Sequence, residues 1–265
     1  MTSTVPRQEP RLLPPQLHRA ALALLVLCAA LVTALGAHYH DDARAGRLDA
    51  RIYSKVADAG DEYHHVLSGL ASAVPVLVTG LAVVLAAICA AARRWRAATL
   101  AIASPGLTTL VVESVKHVVD RTISGGLAYP SGHTAGAASI LVVSCVLALS
   151  RLRGQVVAKA AALLLVALAG AGGVGLVMVS IHAHYATDTV AGFGTAVVVT
   201  LGLAFGLDAL PGRRRGPNEP PVSGEIETAP DVREADPRAS RISGTRLLTA
   251  RGKTSADVDG YGADG

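Results

Sequence analysis

Three short polar stretches stand at the edges of apolar blocks, and their side chains are of the kinds that hold and cleave phosphate groups. The first carries Lys116 and Arg121. An ammonium is a point charge and a guanidinium a planar fork, the two ways a protein grips phosphate oxygens. They are five positions apart, so on one unbroken helix they would diverge. The helix is expected to end near Val119 or Asp120. The second stretch is Tyr129-Pro130-Ser131-Gly132-His133. Ser131 and Gly132 stand where a helix begins, where amides lack an intrahelical partner and glycine lets an anion come close. The plainer reading makes Ser131 a helix cap. His133 follows, and an imidazole can give a proton to a departing oxygen near neutral pH. The third stretch is His184-Tyr185-Ala186-Thr187-Asp188. His184 and Asp188 are four apart and share a face if one helix includes both. A carboxylate accepting from one ring nitrogen leaves the other free as a nucleophile. The plainer reading has Asp188 capping a helix and His184 idle at an interface.

The elements that must position these residues follow from hydropathy. Of the 265 residues, 51% are hydrophobic but only 3% aromatic, so Ala, Leu and Val supply the apolar surface. They gather into blocks of about twenty, the length that crosses a hydrocarbon core. The blocks run from about Ala20 to Ala37, Leu67 to Ala92, Ala97 to Val119, His133 to Ser150, Val156 to Ile181 and Asp188 to Leu207. The expected fold is all-α, a polytopic membrane bundle of about six transmembrane helices. Three regions are expected: a flexible cytoplasmic lead over residues 1–18, the bundle over 19–210, and a disordered cytoplasmic tail over 211–265. A cleaved signal peptide is the alternative for the first block, since Arg19 precedes a short apolar run ending in small residues. Pro75 and Pro105 fall inside spans and can kink them. Ala169/Gly173 and Ala171/Gly175 in the fifth block suit close helix contact. In the polar stretch 38–66, Leu48, Ile52 and Val56 recur every four residues, which predicts a short amphipathic helix on the membrane surface.

Net charge is +4, and most of the basic excess flanks apolar blocks, an orientation signal rather than a nucleic-acid patch. In a six-span arrangement Arg19, Arg93 to Arg96, Arg151, Arg153, Lys159 and Arg213 to Arg215 share one side, which the positive-inside rule makes cytoplasmic. Both termini then lie in the cytoplasm, and the three polar stretches meet on the outer rim. Ionisable residues at membrane-helix ends are functional candidates by default. Cys28, Cys89 and Cys145 all lie in apolar blocks and read as small packing residues, not a disulfide framework or zinc cluster. Glu113 is within pairing distance of Lys116 and His117 and reads as a counter-ion. His38, His40, His64 and His65, with Asp41 and Asp42, have no metal-specific spacing and read as solvated loop residues.

Over about residues 110–192 these motifs resemble the type 2 phosphatidic acid phosphatase family, membrane phosphatases that work through histidine. Pro130-Ser131-Gly132-His133 reproduces the family's second motif, and His184-x-x-x-Asp188 the end of its third. The resemblance implies that His184 attacks phosphorus to form a phosphohistidine, oriented by Asp188, while His133 protonates the leaving alcohol. It further implies that Lys116, Arg121, Ser131 and the Gly132 amide hold the phosphoryl oxygens, and that no metal or other cofactor is required. Two motif places differ. Counting from Lys116, the family's Arg-Pro falls on Ile123 and Ser124, with Arg121 two residues early. The Ser-Arg that opens the third motif falls on Val177-Met178, with Ser180 and His182 the nearest polar residues. One donor missing from a developing phosphoryl charge is worth ~3 kcal/mol.

The implied activity is metal-independent hydrolysis of a lipid phosphate monoester or diphosphate at the outer membrane face. Phosphatidic acid, phosphatidylglycerol phosphate and isoprenoid phosphates or diphosphates are the substrates the family suggests, and membrane lipids are the expected partners. The alternative is a non-catalytic lipid-phosphate binder or transporter on the same scaffold. Retention of both histidines and Asp188 favours the enzyme, because binding alone needs positive charge more than a nucleophile.

Overall fold

A computed structural model describes residues 9–152 and 154–210. The tail 211–265, Arg153 and the first eight residues of the lead lie outside the described residues, and with them those parts of the orientation argument and the expectation of a disordered tail. Among the described residues, a short 3-10 turn (Pro15–Leu17) precedes seven α-helices: α1 (His18–His38), α2 (Arg47–Glu62), α3 (His64–Ala91), α4 (Trp95–Val119), α5 (Gly132–Leu149), α6 (Val156–Ser180) and α7 (Ala186–Ala209). A two-stranded hairpin, β1 (Thr122–Ile123) and β2 (Gly126–Leu127), joins α4 to α5. Among the described residues, six helices are long and apolar enough to cross a membrane. The chain is therefore an all-α polytopic membrane protein.

The layering follows side-chain size. α5 and α7 form the centre, packed on each other and on α4, with α6 against α5 and α1 against α7. Lipid is as apolar as leucine, so helices in a membrane associate where small residues let backbones approach. Ala135, Ala138, Ala171, Ala191 and Ala196 accordingly fill the centre. The outer helices turn large residues such as Leu27 on α1, Val76 on α3 and Leu165 on α6 outward. Gly192 marks the tightest approach: a Cβ there would lie 2.5 Å from the Ser131 carbonyl oxygen and 3.2 Å from the Ala135 nitrogen. The second turn of α7 thus touches the start of α5 backbone to backbone. Gly192→Ala is expected to push the two apart and destabilise the fold by about 1–3 kcal/mol, the cost of overpacking a close contact, read as a lower melting temperature. Gly202→Ala, whose Cβ meets nothing within 4 Å, is the control and should melt at or slightly above the parent, since alanine is the better helix former.

Two sequence expectations shift in detail. The amphipathic helix exists as α2, but its inward face is Asp49, Ile52, Tyr53, Val56 and Gly60, while Leu48 is 55% exposed. The apolar stripe is thus displaced by one residue, because a buried carboxylate leads it. α2 lies on α6 and α7, and its Gly60 has room for no side chain against the Ser180 carbonyl. The lead, read as flexible, is tied down where it is described. Leu12 and Leu13 are buried, and their amides donate to the Asp208 carboxylate at 2.9 and 3.0 Å.

Candidate active site

Arg121 follows α4, just past its C-cap Asp120, whose left-handed backbone (φ 53°) turns the chain out of the helix. The hairpin follows, with Ser124 and Gly125 both at positive φ in a two-residue turn that pairs Ile123 with Gly126. It returns the chain so that the Ala128 amide donates to the Arg121 carbonyl at 2.8 Å, leaving the Ala128 carbonyl aimed elsewhere. Its partner is His184, whose Nδ1 lies 2.8 Å away. A carbonyl only accepts, so Nδ1 carries the proton and Nε2 keeps its lone pair.

His184 precedes Tyr185, the N-cap of α7, and so stands one step outside the helix that holds Asp188. The hydrogen bond expected between them goes to Ala128 instead; the Asp188 carboxylate lies 4.0 Å from His184 Nδ1. Asp188 is occupied elsewhere. Its Oδ2 accepts from the Tyr185 amide at 3.0 Å, its Oδ1 from Arg121 Nη1 at 2.5 Å, and its carbonyl from the Ser131 amide at 2.9 Å. The last bond stitches the second polar stretch to the third. Ser131 is fully buried as the N-cap of α5, with its side chain toward Thr134.

Arg121 is not brought to a phosphate-holding position. It is 0% exposed and lies flat between the rings of Tyr39 and Tyr185, 3.7 and 4.1 Å from their centroids. Besides Asp188, its guanidinium binds Thr187 Oγ1 at 2.8 Å and Asp49 Oδ2 at 2.8 Å. Sequence reasoning missed Asp49. The signal was its place on the same helical face as Ile52 and Val56, three and seven residues on.

Lys116, Gly132, His133 and His184 do converge: all line one cavity of about 550 Å³. Lys116 Nζ is paired with Glu113 at 2.9 Å, and Glu113 lines the same space. From this polar end the cavity continues between two membrane helices, past Val74, Val78 and Val83 of α3 and Pro105, Thr109 and Ile102 of α4. Ile102 is about 20 Å of helix below Lys116. Ile123, at the place of a family arginine, also lines the cavity, whereas Met178, at the other such place, is buried away from it. His182 borders a smaller space of about 140 Å³ under α2, edge-on to Tyr53. His184 lies on both spaces.

Residues 105–206 match the model of the PAP2 superfamily. The match takes in 102 of the 265 residues. The PAP2 region takes in α4 from Pro105, the hairpin, α5, α6 and most of α7, and hence all three polar stretches. Asp49 on α2 and the α3 wall of the cavity come from outside it. No curated protein and no solved structure matches the chain. PAP2 proteins are phosphoric ester hydrolases, many of them acting on lipid phosphates in membranes.

Burial sets the protonation of His184. It pushes the imidazole down to about 4, aided by the positive charges of Lys116 and His133 and opposed by the Ala128 hydrogen bond. The ring is therefore neutral at physiological pH. An unfolded histidine takes its proton near 6.5, so between there and about 4 the unfolded chain binds more protons. Stability contributed by this group is complete above about 6.5 and is lost as pH falls toward about 4. In pH-dependent NMR the His184 ring should keep its neutral-form signals down to about pH 4. Titration near 6.5 would contradict the buried placement.

Proposed function

We propose that the chain hydrolyses a lipid phosphate monoester or diphosphate through a phosphohistidine on His184. The observation that carries this reading is the single cavity shared by Lys116, Gly132, His133 and His184, continuous with an apolar groove between α3 and α4. A phosphate head at the polar end leaves its tail along a wall of valine, isoleucine and proline, which suits an amphiphile entering sideways from the bilayer.

His184 Nε2 attacks phosphorus while the bond from phosphorus to the leaving oxygen breaks, and His133 supplies the proton that oxygen needs. A water then attacks the phosphohistidine, giving its proton back to His133 as the P–N bond breaks and inorganic phosphate leaves. Lys116 and the first-turn amides of α5 at Gly132 take the charge on the non-bridging oxygens. Ala128 holds the tautomer, and Asp188 orients His184 through the backbone of its own turn and its charge rather than by direct hydrogen bond. Arg121 acts on this machinery from behind, through Asp188. The described basic residues flanking the opposite helix ends, Arg19, Arg93, Arg94, Arg96, Arg151 and Lys159, favour an extracytoplasmic position for the site. A non-catalytic binder would gather positive charge, whereas Lys116 is the one Lys or Arg lining the cavity among the described residues.

The test is phosphate release by the purified full chain from micelles of phosphatidic acid, phosphatidylglycerol phosphate and isoprenyl phosphates and diphosphates, with EDTA present. Release from at least one lipid, well above that from a short water-soluble phosphate ester, is expected. Absence of release from every lipid, or strict dependence on added metal, overturns the reading.

A further inference from the structure

We propose that Asp49, on the surface helix α2, is a positioning residue for the nucleophile: by taking one arm of Arg121 it leaves the Asp188 carboxylate a net negative charge to act on His184. The inference rests on the phosphohistidine reading above and adds to it a residue outside the PAP2 region.

The geometry is that of one guanidinium shared by two carboxylates. Arg121 Nη2 donates to Asp49 Oδ2 at 2.8 Å and Nη1 to Asp188 Oδ1 at 2.5 Å. All three side chains are buried to 1% exposure or less. One positive and two negative charges leave the trio at minus one. Were Arg121 bound to Asp188 alone, the pair would be neutral and its field at His184 Nδ1, 4.0 Å from Asp188 Oδ2, would largely cancel. The remaining negative charge matters at one moment. When Nε2 takes the phosphoryl group, Nδ1 keeps its proton on the Ala128 carbonyl, and the ring becomes an imidazolium. A fixed anion 4.0 Å away stabilises that positive ring in a site with little water.

Asp49 also fixes where the nucleophile stands. Its Oδ1 accepts from the Thr187 amide at 2.9 Å and its Oδ2 from the Thr187 hydroxyl at 3.0 Å. The first turn of α7, and with it the 181–185 segment, is thereby pinned to α2. The Tyr39 and Tyr185 rings on either side of Arg121 keep its plane, and so the direction of both arms, from rotating.

The experiment compares the parent, Asp49→Asn, Asp49→Glu, Arg121→Lys and His184→Ala as full chains in lipid–detergent micelles. kcat and KM are measured on a hydrolysed lipid phosphate, and the folded fraction by gel filtration and thermal melting. Asp49→Asn keeps the size, removes the charge and leaves one acceptor oxygen in place of two, so kcat per folded molecule should fall about 10–100-fold, the loss found when carboxylates behind metal-bound histidines are changed. KM should stay within about twofold, because Asp49 does not line the substrate cavity. Asp49→Glu should recover most of the loss. A merely structural Asp49 would lower the folded fraction and leave kcat per folded molecule at the parent value, which overturns the inference; so does an equal loss in Asp49→Asn and Asp49→Glu. If Asp49→Asn does not fold, Arg121→Lys decides: one ammonium cannot serve both carboxylates with a fork's geometry, and a parent-like kcat there overturns the proposal. Activity retained by His184→Ala instead removes the phosphohistidine reading on which the inference stands.

Discussion

His184→Ala is expected to lower phosphate release by about a millionfold, which is the loss on removing the nucleophile of a hydrolase that acts through a covalent intermediate. The size follows from the absence of a substitute. His133 shares the cavity but is assigned the proton, and Lys116 is held by Glu113 at 2.9 Å. His182 borders the other space, under α2. His184→Asn separates chemistry from structure, since its side-chain amide can replace Nδ1 in donating to the Ala128 carbonyl while offering no nucleophile. Both variants should be inactive, with His184→Asn melting close to the parent and His184→Ala losing about 1 kcal/mol for the unmade hydrogen bond. The phosphohistidine should be trapped by alkaline quench in the parent and in neither variant. Release that survives in His184→Asn would place the reacting group elsewhere.

Arg121→Ala carries the largest expected effect on stability. It strips the counter-ion from Asp49 and Asp188 together, two carboxylates at 1% exposure or less. Breaking one buried pair costs about 3–5 kcal/mol because an uncompensated charge is left behind, and here two are left. Most of the folded population should be lost in detergent, read as a fall in the monodisperse peak and in melting temperature. Removing one of the stranded charges should then help: Asp49→Asn on the Arg121→Ala background is expected to recover stability, a non-additivity of more than about 1 kcal/mol in a double-mutant cycle. Had Arg121 gripped the substrate, the same variant would fold normally and show a raised KM. That outcome would refute the buried clamp.

The two expectations rest on residues that look alike in the sequence and differ in the fold. Lys116 and Arg121 are two cations at the end of one apolar block, and phosphate binding is the natural reading for both. Lys116 lies on α4 and faces the cavity. Arg121 comes after the left-handed turn at Asp120 and reaches Asp49 of α2 instead. Nothing in local spacing reports that a carboxylate 72 positions away will meet it. The His184–Asp188 spacing was equally suggestive, yet α7 starts at Ala186, so the helical face they were to share does not exist at His184.

What the sequence determined by itself is the membrane bundle and the helix ends where its polar stretches gather. Blocks of about twenty apolar residues have one stable solution in a bilayer, because each must satisfy its own backbone hydrogen bonds. The helix starts at Gly132 and Ala186 then bring His133 and His184 to the same end. Only the tertiary structure decided which partners those residues have. It gave His184 the Ala128 carbonyl, Arg121 the carboxylates of Asp49 and Asp188, and the polar site an apolar groove between α3 and α4. The physical reason is that hydropathy is a one-residue property summed along the chain. A hydrogen bond or an ion pair is a property of two groups, and its partner is chosen by how the helices pack.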